Sequence, residues 1–188
     1  HRLNICFNRS IPEDYDPDAK NLLLAIESPG VVEYGGWLDD SMEFDAEISF
    51  GNFYNLENYY CPRTLYATND NFVELNVSRN YDDKDGLVSL VYSESDHLAG
   101  HQLRHEVADE FADEVDIYGS GAGEYTERFW SDVQQTILEK KSNSLADHMF
   151  QIVIENVQQE RYVSEKFFDC LKTHTVPIYR GGKDSVQK

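Results

Sequence analysis

The run Met149-Phe150-Gln151-Ile152-Val153-Ile154-Glu155-Asn156 decides the fold. It is a mostly apolar segment of strand length that ends on a polar pair. After it, Tyr162-Val163-Ser164-Glu165-Lys166-Phe167 opens a stretch in which Val163, Phe167 and Leu171 fall on one helical face. Val176-Pro177-Ile178-Tyr179 then reads as another strand, stopped by Gly181-Gly182. Strand, helix and strand in succession imply a parallel pair, because parallel strands need a crossover between them.

The same alternation extends upstream. Leu87 to Tyr92 reads as a strand, and Leu103, Val107 and Phe111 recur at helical spacing. Val115 to Tyr118 is a short strand followed by Gly119-Ser120-Gly121-Ala122-Gly123, and Trp130, Val133, Ile137 and Leu138 mark a further helix. The expected class is therefore α/β, a parallel sheet covered by helices. Ligands on such sheets sit beyond the carboxyl ends of the strands, so the loops after Tyr92, Tyr118, Ile154 and Tyr179 are the expected site.

Before this region the chain reads as short strands at Leu3 to Phe7, Asn21 to Ile26 and Phe44 to Phe50. Tyr54 to Tyr81 is rich in Asn, Asp and Tyr with little periodicity. The polar run Tyr81-Asp82-Asp83-Lys84-Asp85-Gly86 places a boundary there, giving a first region 1–80 and a second 81–188.

Composition bounds the function. With 16 basic and 35 acidic residues the net charge is −19, which argues against a nucleic-acid polymer or an anionic membrane surface as partner. Aromatics at 13% and hydrophobic residues at 40% suffice for a core and exclude disorder. The longest apolar run, Leu22 to Ile26, is far short of a membrane span. Cys6, Cys61 and Cys170 are too few and too scattered for a disulfide framework or a structural zinc. At 188 residues the chain is short for two complete nucleotide-fold domains, which take roughly 300.

The densest polar constellation runs from Glu155-Asn156 through Tyr162 to Glu165-Lys166. A helix start offers backbone N–H groups and a positive dipole end to a phosphate. Lys166 adds a point charge, Glu165 can accept from a ribose diol, and Tyr162 can stack or donate. The same residues also fit a solvated helix start with Ser164 near the cap, which on pattern alone is the commoner case. His97, His101 and His105 recur every fourth residue, as metal ligands on a helix would, although a packed or solvated histidine face is commoner. Asp14-x-Asp16-x-Asp18 fails as a calcium loop, since Ala19 and Ala25 stand where Gly and Glu are required. Glu124 likewise spoils the glycine loop as a phosphate cradle.

The segments Phe150 to Asn156, Tyr162 to Phe167 and His174 to Gly181 closely resemble the signature of family 10 glycosyltransferases, the α-1,3/4-fucosyltransferases: F-x-L-x-F-E-N-S, then Y-[VI]-T-E-K, then a V-P-[IV] strand ending in Gly. Ile154, Val157 and Ser164 are the departures. Upstream, Ser93 to Arg104 and Asp116-Ile117-Tyr118-Gly119 resemble the family's S-N…R…D-x-Y-G region, with Glu94 where Asn is usual. Ile26-Glu27-Ser28-Pro29, followed by Phe44 to Phe50, resembles its E-S-P…F-D/N segment.

The resemblance implies a Rossmann-like sheet within a two-domain (GT-B type) glycosyltransferase whose N-terminal domain is shortened. Residues 1–80 become part of an acceptor-side domain and 81–188 the donor domain. It implies inverting transfer of fucose from GDP-fucose to a glycan hydroxyl, with Glu27 as the base and Arg104 on the donor diphosphate. Ser93, Tyr118, Asn156, Tyr162, Glu165 and Lys166 complete the donor site. No organic cofactor is expected, no metal-ligand set is evident, and a divalent ion is left open as an aid. The alternatives are a related enzyme using GDP-mannose or UDP-xylose, and a non-catalytic nucleotide- or glycan-binding module. The expected compartment is the cytoplasm for a bacterial or viral source and the Golgi lumen for a trimmed eukaryotic domain. Acceptor, linkage and oligomeric state are not specified by any residue.

Overall fold

A computed structural model describes residues 2–7, 12–25, 43–49, 58–60, 80–91, 93–120, 144–159 and 162–182. The chain divides into two compact units, His1–Arg63 and Thr64–Lys188.

The first unit contains β1 (Leu3–Phe7), β2 (Lys20–Ala25), β3 (Ala46–Ser49) and β4 (Asn58–Tyr60), parallel throughout and in the order β1-β2-β3-β4. The first three are the strands expected from their apolar runs; β4 lies in the Asn- and Tyr-rich stretch where no strand was expected. Leu23 and Ala25 of the central strand β2 are buried, as are Cys6 and Ser49. Asn4 fixes the entry to β2: its Nδ2 donates to the Asp16 carbonyl at 2.7 Å and to Asn21 Oδ1 at 2.8 Å. The aspartates that resemble a calcium loop are engaged locally: Asp16 pairs with Arg2 at 2.9 Å and accepts from the Asp18 N–H at 3.0 Å.

The second unit contains β5 (Gly86–Val91), α1 (Ala99–Phe111), β6 (Asp116–Tyr118), β7 (His148–Ile154), α2 (Glu165–Lys172) and β8 (Val176–Arg180). Its sheet is parallel with the order β6-β5-β7-β8. The chain leaves β5 on one side to form β6 and returns on the other to form β7. The strand order thus reverses at β5, where a crevice opens between the loops leaving β5 and β7. The core gathers Leu90, Ala108 and Ile117 on one side, and Leu145, Val153 and Cys170 on the other. The helix expected from Trp130 to Leu138 lies outside the described residues.

The apolar residues of both helices mark only part of the face that packs: Val107 is half-buried against Leu90, Ala108 and Ile117, and Phe167 meets the Tyr179 ring with centroids 5.2 Å apart. In α1 the buried residues are Gly100, His101, Arg104 and Ala108, while Phe111 is exposed. The small residues allow close approach, and Arg104 is buried because its guanidinium finds acceptors. In α2 Asp169 and Cys170 are buried and Leu171 is exposed. Lys84, ahead of β5, is also buried. Its Nζ donates to the carbonyls of Leu145 and Ala146 and to Thr175 Oγ1, each at 3.0 Å, which ties the chain at residues 144–146 to the approach to β8.

Candidate functional site

The site is built where β7 ends. Ile154 is the last residue of that strand, and Glu155 and Asn156 follow directly. Arg104 reaches across from α1: Nη1 donates to the Ile154 carbonyl at 3.2 Å and Nη2 to Asn156 Oδ1 at 2.6 Å. Burial holds the guanidinium below its ordinary pKa, opposed by Glu155, Tyr162 and Glu165. An arginine so placed remains a cation.

Glu155 organises the second half. Its side chain is fully buried. Oε1 accepts from the Ser164 N–H at 2.7 Å and from the Tyr179 hydroxyl at 3.3 Å, while Oε2 lies 3.8 Å from Lys166 Nζ. Ser164 is the N-cap of α2 and accepts from the Lys166 N–H at 3.4 Å, with Lys166 Nζ at 3.2 Å from the same oxygen. Glu165 stands 3.7 Å from Lys166 Nζ. Ser164 does cap the helix, but it is buried rather than solvated, and the Lys166 ammonium is turned toward the strand end.

Beside these groups a cavity of about 270 Å³ opens at the carboxyl ends of β5 and β7. Of the sequence-predicted residues, Ser93, Arg104, Asn156, Glu165 and Lys166 line it. Tyr162 and Tyr118 do not. Tyr162 is fully buried, with its carbonyl accepting from Tyr179, and Tyr118 packs edge-on against His148 with ring centroids 5.6 Å apart. Glu27 lies outside the described residues. Ser120, from the glycine loop, reaches the cavity, and the turn before it needs Gly119, whose φ is 110°.

Three contributors had been given no role at the site. Glu155 opened the polar constellation, but what it does depends on Ser164 and Tyr179 arriving from other segments. Asp169 lines the cavity although buried in α2. His101 lines it too, with its pKa lowered to about 4, chiefly by burial and then by Arg104, His97, Lys166 and His105. The fourfold histidine spacing was the available signal, read there as metal ligation or a packed face. The three rings do not converge: His97 meets His101 edge-on with centroids 4.6 Å apart, and His105 Nε2 lies 3.2 and 3.1 Å from the carbonyls of Ser93 and Ser95. Among the described residues no group of three His, Cys, Asp or Glu side chains is placed to hold a metal ion, and no helix is long and apolar enough to cross a membrane.

A pocket with one fixed guanidinium, one flexible ammonium and carboxylate and amide acceptors around them suits an anionic ligand that also carries hydroxyls. Comparison with known proteins points the same way. Residues 81–188 match the model of the C-terminal domain of glycosyltransferase family 10 (fucosyltransferase). A solved α1,3-fucosyltransferase with GDP-fucose shares the fold at a TM-score of 0.54 and 19% identity, over 89% of this chain and 54% of that one. A second, with GDP, gives 0.52 and 19% over 95% and 56%, and a third gives 0.50 and 19% over 87% and 51%. The chain spans about half the length of the solved structures it matches. No curated protein matches it.

Proposed function

The chain belongs to glycosyltransferase family 10, and from that premise we propose that it transfers fucose from GDP-fucose to a glycan hydroxyl with inversion at the sugar. Residues 81–188 bind the donor and the first region serves the acceptor side. The observation that carries this reading is the convergence of Arg104, Asn156, Glu165 and Lys166 on one cavity at the strand-order reversal.

The chemistry assigns each group a task. The acceptor oxygen bonds to the anomeric carbon as the bond from that carbon to the diphosphate breaks, and the electron pair leaves with the diphosphate. Negative charge therefore grows on the leaving group, where Arg104 and Lys166 stabilise it. Glu27, by the resemblance, takes the proton from the acceptor hydroxyl. Glu165 and Asn156 hold donor hydroxyl or amide groups.

Thermal shifts with a panel of nucleotide sugars test the donor. A ligand at one hundred times its Kd adds about 2.7 kcal/mol to stability. GDP-fucose is expected to give such a shift. A shift with GDP-mannose or UDP-xylose but none with GDP-fucose overturns the donor assignment. Glu27→Gln is expected to abolish transfer and retain donor binding, and wild-type turnover in that variant removes Glu27 as the base. Donor binding by the unaltered chain without turnover on any glycan acceptor replaces the enzyme reading with a binding module.

A further inference from the structure

His101 sits one turn before Arg104 in α1, and only 7% of its surface is exposed. Its ring lines the same cavity, and Nδ1 has no hydrogen-bond partner among the described residues. A buried ring nitrogen without a partner is costly in an empty site. A packed neutral histidine is the plainer account, but it leaves the charge balance of the cavity unexplained.

Two cations line the cavity, Arg104 and Lys166, and so do two carboxylates, Glu165 and Asp169. With His101 neutral the described lining sums to zero, and Glu155 adds a third carboxylate 3.8 Å behind Lys166. A sugar nucleotide brings a diphosphate diester with two negative charges. The charged and titratable groups acting on His101 are His97 just before its helix, Arg104 and His105 on it, and Lys166 on α2, while Glu165 and Asp169 of α2 line the same cavity. Among the described lining residues His101 is the side chain whose type can add a cation near neutral pH.

We propose that His101 is a further donor contact that takes up a proton from solvent as the diphosphate binds, becoming the third cation of the site. The inference rests on the donor reading above. In the empty cavity burial and the neighbouring cations keep the ring neutral, with a pKa of about 4. A dianion in the cavity reverses that local field, and a protonated ring can donate from both nitrogens. If the ligand merely restores the ordinary histidine value near 6.5, about 0.7 proton is taken up at pH 6.

The test is calorimetry of GDP-fucose binding at pH 6 in two buffers of different ionisation enthalpy. The diphosphate diester has no group titrating near neutrality, so the buffer dependence reads the protein. Wild type is expected to take up about 0.7 proton and His101→Gln close to none, with weaker binding that approaches wild type at pH 8. Wild-type binding without proton uptake, or equal uptake and affinity in His101→Gln, overturns the proposal. The wild-type profile alone gives a second reading that no folding defect can confuse: binding about fourfold tighter at pH 6 than at pH 8, where a flat or opposite profile overturns it. Proton uptake with another nucleotide sugar but no binding of GDP-fucose upholds the His101 contact and overturns the donor assignment. No binding by any nucleotide sugar overturns both.

Discussion

Replacing Gly100 by alanine tests the geometry on which the candidate site depends. In an ordinary helix the change adds about 1 kcal/mol of stability through backbone propensity. Here a Cβ on Gly100 would overlap the Glu155 carbonyl oxygen and stand 2.7 Å from the Glu155 carbonyl carbon and 2.8 Å from Asn156 Cα. Those atoms are backbone and cannot rotate away, so the start of α1 and the end of β7 must separate. Arg104 Nη1 joins α1 to the Ile154 carbonyl at 3.2 Å, and two further bonds, which end on Asn156, lie at that contact: Gly100 N–H to the Asn156 carbonyl at 3.0 Å, and Arg104 Nη2 to Asn156 Oδ1 at 2.6 Å. Their loss costs about 1 and about 1.5–3 kcal/mol respectively, so after the propensity gain the net is roughly 1.5–3 kcal/mol of destabilisation. In a chain of this size that lowers the Tm by about 3–12 °C. Thermal unfolding followed by circular dichroism reads it, with Gln102→Ala, on the exposed side of the same helix, as a control expected to stay within about 0.5 kcal/mol. Because the Arg104–Asn156 contact opens, GDP-fucose affinity should fall in Gly100→Ala as well. A Gly100→Ala protein as stable as wild type, or more so, refutes the close approach and the account of the cavity built on it.

Lys84→Met should lower the Tm, since it removes the buried ammonium's bonds to the Leu145 and Ala146 carbonyls and to Thr175, although Leu145 and Thr175 keep the 2.7 Å bond between them; the expected loss is about 1.5–3 kcal/mol, and an unchanged Tm removes Lys84 as a tie. Arg104→Lys should weaken GDP-fucose binding roughly tenfold, because one ammonium cannot serve Ile154 and Asn156 together in the planar fork geometry. Wild-type affinity in that variant dissolves the fork argument. The ligand-free protein should lose stability on acidification. The folded pKa of His101, about 4, lies below its unfolded value of about 6.5, so the unfolded state binds more protons between them. The His101 contribution is thus complete above about pH 6.5 and is lost as the pH falls toward 4. His101→Gln should give a shallower acid limb in the same unfolding experiment, and an identical limb contradicts the assignment. Finally, salt should raise the Tm of a chain carrying −19, because screening relieves self-repulsion; a flat salt dependence denies that the surface charge is destabilising.

Strands of the second unit were legible because they read as apolar runs with turn residues at their ends, even in β8, where Val176 and Ile178 are exposed. Strand β4 was not, since Asn58, Tyr59 and Tyr60 carry no apolar alternation and are recruited by pairing with β3. The helices were legible as helices but not in their orientation. Leu103, Val107 and Phe111 mark the apolar stripe of α1, of which Val107 reaches the core, but the buried residues are Gly100, His101, Arg104 and Ala108. Contacts made by close backbone approach and by a satisfied guanidinium leave no hydrophobic periodicity to read. The site shows the same limit. Motif order placed Arg104, Asn156, Glu165, Lys166 and Ser93 at the strand ends, where they line one cavity. Motif order cannot say that Glu155 would bind both Ser164 and Tyr179, or that Tyr162 would turn into the core.

The two cations of the cavity differ in a way that bears on how an acidic protein can hold an anion. Arg104 is 6% exposed and commits two of its five N–H donors to Ile154 and Asn156, which fixes the guanidinium plane and leaves the rest for a ligand. Lys166 is looser. Its side chain is 26% exposed, and its carboxylate neighbours lie at 3.7 and 3.8 Å rather than at hydrogen-bonding distance. Such pairs are weak when partly solvated, so the ammonium can turn to a diphosphate at little cost. Binding through Lys166 nonetheless leaves Glu155 and Glu165 less well compensated, and Glu155 is fully buried. A third positive group arriving with the ligand offsets that loss. The net charge of −19 therefore sets the long-range field that slows the approach of an anion. In the proposed complex, retention is decided within a few ångströms, by one rigid cation, one mobile cation and the proton proposed for His101.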